Sequence, residues 1–180
     1  RIVVLGLLAT AVAGVSACAP PGPAADALPV LPIGGDFTLT DHDNRPFALA
    51  SLRGKAVLIF FGYSSCPDAC PTTLSKLSSV ARRLGDDRNR VQALYISVDP
   101  ERDTTSVLKA DMENFSVNAL GLTGTKEQLD AVVAQYAAAY EIVPTPESAA
   151  TYALSPTTSV YAPDASGRVR TTSAYEASVD

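Results

Sequence analysis

Residues 56–61 read AVLIFF, an unbroken apolar run whose length suits a strand buried on both faces. Residues 91–98 (VQALYISV) repeat the pattern, and Asp99-Pro100 closes it. Between them Leu74, Leu77, Val80, Ala81 and Leu84 recur at helical spacing. This predicts a helix from about Pro71, where a missing N–H costs nothing, to a stop at Gly85. Residues 104–115 predict a second helix with Val107, Leu108, Ala110 and Met112 as apolar members, and 120–123 a short strand. Residues 126–140 (KEQLDAVVAQYAAAY) predict a third helix with Thr125 as its cap. Alternation at 37–40, turn residues at 41–44 and a return at 46–49 predict an opening hairpin. Residues 158–161 and 169–172 predict a closing antiparallel pair around Asp164-Ala165-Ser166-Gly167. A βαβ start with an antiparallel finish implies an α/β domain of the thioredoxin-like plan: a mixed central sheet flanked by helices, with an N-terminal β-hairpin. The last helix of that plan would begin near Glu176, so the C-terminal helix is expected to be truncated at Asp180.

Ahead of this domain, residues 2–17 form an apolar run rich in Ala, Gly and Val, shorter than the roughly 20 residues of a spanning helix. It reads as a signal-peptide core, with part of the charged region expected upstream of Arg1. Val15-Ser16-Ala17-Cys18 is similar to a bacterial lipobox, which would place a lipid on Cys18. Ordinary cleavage after Ala17, or an uncleaved short anchor, are the alternatives. Residues 18–32 carry five prolines and predict an extended, semi-rigid spacer. The expected organisation is therefore 1–17 leader, 18–32 linker and 33–180 folded domain, outside the cytoplasmic membrane.

Composition narrows the chemistry. With 47% hydrophobic and 18% charged residues the chain is globular, and a net charge of −5 argues against nucleic-acid partners. One His and one Met exclude sites built on several such ligands. Cys66 and Cys70 sit four apart between the first buried strand and a helix N-terminus, where backbone N–H groups and the helix dipole favour a thiolate. The bend at Pro67 brings the sulfurs within reach of one another or of one metal ion. A soft thiolate pair selects Cu(I), or zinc with further ligands. In an exported compartment the same pair can form a Cys66–Cys70 disulfide. A purely stabilising disulfide is the plainer reading, but so short a loop gains little chain entropy from closure. His42 reads as a solvated turn residue, Met112 as core, and Tyr63 and Tyr95 as packing residues.

FFGYSSCPDACPTTL at 60–74 resembles the signature segment of the SCO/SenC family, membrane-tethered thioredoxin-fold copper proteins. LRGK at 52–55, ISVDPERDT at 96–104 and GLTG at 121–124 extend the likeness over most of residues 37–161. The resemblance implies copper binding by Cys66 and Cys70 and assembly of the CuA centre of cytochrome c oxidase, by copper delivery, thiol reduction or both. It implies subunit II of that oxidase, or another exported thiol or copper protein, as partner. It also implies the periplasmic face of the bacterial cytoplasmic membrane as location, held by the lipid anchor. Asp99 falls near the family's metal site, either tuning it or capping a strand end. The resemblance leans towards a metallochaperone rather than an enzyme; an enzymatic role would be that of a thiol–disulfide oxidoreductase.

One departure changes the chemistry. The family's third copper ligand is a His in a Tyr-x-x-Asp-His-Ser/Thr pattern, where this chain reads Tyr152-Ala153-Leu154-Ser155-Pro156-Thr157. Pro156 holds the ligand position and brings no donor atom. Two thiolates still suit near-linear Cu(I), whereas Cu(II) prefers added nitrogen or oxygen ligands. Pro156 before a strand also resembles the cis-proline of thioredoxin-like reductases. That alternative is a thiol–disulfide oxidoreductase without obligatory copper, in which Cys66 attacks and Cys70 resolves.

Overall fold

The computed structural model describes residues 28–115, 118–144, 152–156, 158–174 and 177. The expected leader, Cys18, most of the linker and Glu176 lie outside the described residues.

The buried apolar runs become strands β3 (Ala56–Gly62) and β4 (Val91–Ser97), which pair in parallel, and β5 (Ala119–Thr123) adds to β4 in the same direction. The opening hairpin, β1 (Thr38–Asp41) and β2 (Pro46–Ala48), attaches antiparallel to β5. Strands β8 (Val160–Pro163) and β9 (Val169–Ser173) close the other side, β8 antiparallel to β3. The result is a seven-stranded mixed sheet in the order β2-β1-β5-β4-β3-β8-β9. The parallel strands are central and near-continuously buried, as parallel pairing requires cover on both faces.

Three helices supply that cover: α1 (Ala69–Leu84), α2 (Thr105–Glu113) and α3 (Lys126–Gln135). Phe60, Tyr95 and Gly121 share a register position and therefore a face of the sheet. Gly121 lets α2 press close on that face. A methyl there would stand 3.1 Å from Leu108 Cβ and 3.3 Å from Met112 Cγ. The other face holds Phe61, Tyr136 and Tyr161, with ring centroids 5.6–5.9 Å apart and edge-to-face. Two threonines set the helix starts. Thr104 accepts from the Val107 N–H at 3.3 Å, and Thr125 forms a full capping box with Gln128.

Three expectations need correction. Helix α1 begins at Ala69 rather than Pro71, which leaves Pro71 inside the first turn and places Cys70 on the helix. Helix α3 stops at Gln135, not at residue 140. The Ala138 N–H bonds to the Val133 carbonyl and the Ala137 N–H to that of Ala134, a Schellman closure with Ala137 at φ +49°. Burial of Tyr136 in the aromatic cluster fixes this stop, and its hydroxyl donates to the Gly35 carbonyl at 3.0 Å. The freed chain then makes an unexpected second sheet, β6 (Tyr140–Pro144) antiparallel to β7 (Tyr152–Pro156). Finally, no peptide bond is cis among the described residues, and Pro156 ends a regular strand paired with Tyr140. The cis-proline docking element of a thioredoxin-like reductase is therefore not formed.

Candidate functional site: a thiol pair at the head of the first helix

Strand β3 ends at Gly62, and the chain turns through Tyr63-Ser64-Ser65 to Cys66, two residues before the Asp68 N-cap of α1. The turn is closed by the Cys66 N–H on the Tyr63 carbonyl at 3.1 Å. Cys70, in the first turn of α1, is 3% exposed, whereas Cys66 is half-buried. The Cys70 N–H points at Cys66 Sγ from 3.4 Å, and both cysteines are free.

This placement makes the sulfurs unequal. The Cys70 thiol beside Cys66, reinforced by the backbone N–H groups of Cys70, Asp68 and Ala69, lowers the Cys66 pKa to about 6 against an opposing contribution from burial. Cys70 moves the other way, because its thiol donates a hydrogen bond to the Cys66 sulfur and is itself buried. At neutral pH the arrangement is one half-buried thiolate held by one buried thiol. Soft sulfur donors of this kind fit Cu(I). Among the described residues no group of three His, Cys, Asp or Glu side chains assembles.

The loop carrying Cys66 is pinned by a residue between β4 and α2 to which the sequence reading gave no role. Asp103 is 1% exposed and accepts from the Ser64 N–H at 3.0 Å, from Ser97 Oγ at 2.6 Å and from the Ser64 hydroxyl. Only the spacing of Ser97 and Asp103 hints at this in sequence, because the third partner lies 39 residues away. Asp99, also buried, pairs with the Arg102 Nε. The Arg102 guanidinium lies 5.7 Å from the centre of the Tyr63 ring. Asp99 thus reaches the cysteine loop through Arg102 and Tyr63. The Tyr63 hydroxyl is hydrogen-bonded to the Leu154 backbone, so β7 touches the loop two residues before Pro156.

His42 is not a plain solvated turn residue. Its Nδ1 accepts from the Gly121 N–H at 3.1 Å, fastening the opening hairpin to β5. Met112 is buried core, 5% exposed.

A parallel-centred mixed sheet with a cysteine pair where a central strand meets a helix N-terminus defines a thioredoxin-like thiol protein. Residues 25–180 match the SCO1/SenC family model. The chain belongs to the SCO1/SenC family. It is 35% identical over 136 residues to an SCO2-like protein of Rickettsia felis, covering 76% of this chain and 66% of that one. It is 42% identical over 132 residues to the mitochondrial SCO2 homolog of Bos taurus, covering 68% of this chain and 50% of that one. The chain thus spans two thirds or less of these relatives' length. The structure of Bradyrhizobium japonicum ScoI with copper bound matches with a TM-score of 0.75 at 38% identity, covering 82% of this chain and 92% of that one.

Proposed function

We propose that this protein is a membrane-tethered copper-binding assembly factor that holds Cu(I) between Cys66 and Cys70 and serves the CuA centre of cytochrome c oxidase. The observation that carries the reading is the unequal thiol pair, a thiolate at Cys66 beside a thiol at Cys70 whose proton leaves as copper enters. Support comes from the family, described as one of cytochrome c oxidase assembly proteins, and from the copper held by the Bradyrhizobium relative. In this scheme Pro156 leaves the site with two sulfur ligands, so the cargo is cuprous. Two thiolates bind the ion, and a partner with further soft ligands removes it by exchange. Cys18 carries the lipid, residues 18–32 space the domain from the periplasmic face of the membrane, and the partner is subunit II of the oxidase. Among the described residues no helix is long and apolar enough to cross a membrane.

A second reading uses the same pair for thiol reduction of the partner, and the lowered Cys66 pKa favours it. The Cys66 thiolate attacks a partner disulfide, and the departing partner thiolate takes a proton. Cys70 then loses its proton and attacks the mixed disulfide, leaving a Cys66–Cys70 disulfide and a partner dithiol. One experiment separates the readings. The Cu(I)-loaded protein and the copper-free dithiol are each mixed with the soluble domain of subunit II, its CuA-site cysteines reduced or oxidised. Delivery predicts copper transfer to the reduced domain; thiol reduction predicts loss of the partner disulfide to the copper-free protein. The absence of both events would overturn the proposal.

A further inference from the structure

Tyr95, on β4, is 1% exposed, and its hydroxyl makes no hydrogen bond of ordinary geometry. A buried hydroxyl in that condition carries a desolvation cost unless something repays it. What it faces is the thiol pair. Gly62, on the neighbouring strand, lets both groups crowd its Cα: a methyl there would stand 2.9 Å from Cys70 Sγ and 2.9 Å from the Tyr95 hydroxyl oxygen, too close for either to tolerate. The two polar atoms thus share one small space, walled by the Gly62 backbone and closed to solvent. The Tyr95 ring lies 6.0 Å from the Phe60 ring, centre to centre, which holds its hydroxyl end at the mouth of β3.

We propose that Tyr95 is a positioning residue for the thiol pair, its hydroxyl donating to Cys70 Sγ weakly while that sulfur is a thiol and strongly when it carries negative charge, as it does with copper bound. A phenol keeps its proton at neutral pH and is a fixed donor there. In the dithiol state the Cys70 S–H is turned towards Cys66, so a donor behind Cys70 completes the chain Tyr95 O–H to Cys70 S–H to Cys66 sulfur. Such chains strengthen each member. With both cysteines ligating Cu(I), Cys70 is a thiolate and the same O–H becomes a charge-assisted donor, stronger than in the dithiol. In the disulfide, Cys70 carries no charge and the hydroxyl gains least. Tyr95 therefore favours the dithiol and, more strongly, the cuprous complex. Its copper half rests on the function proposed above; its redox half does not.

The test is Tyr95→Phe, which keeps the ring and removes one oxygen, with Tyr136→Phe as a buried control remote from the sulfurs. Cu(I) affinity is measured by competition with a chromophoric Cu(I) chelator. The dithiol–disulfide ratio is measured in glutathione buffers, where the disulfide and two glutathione thiols exchange with the dithiol and glutathione disulfide. Expected are a loss in Cu(I) affinity of about tenfold and a shift towards the disulfide of about threefold, from a charge-assisted and a neutral hydrogen bond respectively. Tyr136→Phe moves neither. A hydroxyl that is merely unsatisfied predicts something different: Tyr95→Phe raises the melting temperature of dithiol and disulfide forms equally and leaves both readouts unchanged. That result, or a change of opposite sign in either readout, overturns the proposal; a shift of the stated sign in one or both, with none of opposite sign, upholds it. Failure of the wild-type protein to bind Cu(I) would sink the copper reading alone, because the glutathione ratio still decides the role of Tyr95.

Discussion

Asp103 offers the sharpest test of how the thiol loop is held. Its carboxylate takes three hydrogen bonds, two of them from Ser64 in the loop that presents Cys66 and one from Ser97 at the end of β4. Replacing it with Ala removes all three acceptor contacts in a site that is 1% exposed. A hydrogen bond to a charged group contributes about 1.5–3 kcal/mol, and a buried donor left unpaired costs about 1–3 kcal/mol. The Ser97 hydroxyl still accepts from the Asp99 N–H at 3.0 Å, which keeps Ser97 partly satisfied. The opened space admits water to the Ser64 N–H, so the contributions do not simply add. The expected loss is therefore about 3 kcal/mol, roughly two of the three bonds. With a urea dependence of about 1.5 kcal/mol per molar, this lowers the unfolding midpoint by about 2 M. The assay is urea unfolding of the reduced protein, followed by circular dichroism. Asp103→Asn, which keeps the volume and one acceptor oxygen, is expected to fall between. A midpoint for Asp103→Ala within about 0.3 M of wild type would refute the clamp, as would Asp103→Asn destabilising more than Asp103→Ala.

Four further outcomes are expected. Alkylation of Cys66 by iodoacetamide should rise with a midpoint near pH 6, and Cys70→Ala should move that midpoint upward, because Cys70 is the largest cause of the lowering. The stability sign agrees. Between about pH 6 and 9 the unfolded chain holds the Cys66 proton and the fold does not, so the reduced protein gains stability as pH rises through that window. A Cys66→Ser protein should lose this slope in melts from pH 6 to 8.5. Ala137→Gly should raise the melting temperature by a few degrees, since glycine accepts the left-handed conformation at no cost and the strain relieved is about 1 kcal/mol; an unchanged or lower value would contradict the Schellman reading. Pro156→His should add a thiolate-to-Cu(II) absorption band that the natural sequence lacks, and equal bands in both proteins would show that the imidazole is not what Cu(II) misses.

The central sheet was legible because its strands are pure apolar runs. AVLIFF cannot sit at a surface, and its position before Cys66 already placed the thiols at the end of a central strand and the start of a helix. The second sheet was not legible. Residues 131–140 (AVVAQYAAAY) have the composition of a continuous helix, and no glycine marks the stop. What ends it is tertiary: Tyr136 is drawn into the cluster of Phe37, Phe61 and Tyr161, and Ala137 accepts an unfavourable φ. The inequality of the two thiols was visible only as a tendency of helix starts, because the burial that separates Cys66 from Cys70 comes from packing. Asp103 and Tyr95 escaped for a related reason. Both are ordinary residues of a buried segment until the fold brings the cysteine loop, 39 residues from Asp103, against them.

The most direct test of the central claim is X-ray absorption at the copper edge on the reduced protein loaded anaerobically with Cu(I). The account predicts one equivalent of copper in two-sulfur coordination with no imidazole scattering, abolished by Cys66→Ala together with Cys70→Ala. Copper that remains bound in that double variant, or a first shell containing nitrogen, would contradict a cuprous site built on this cysteine pair alone.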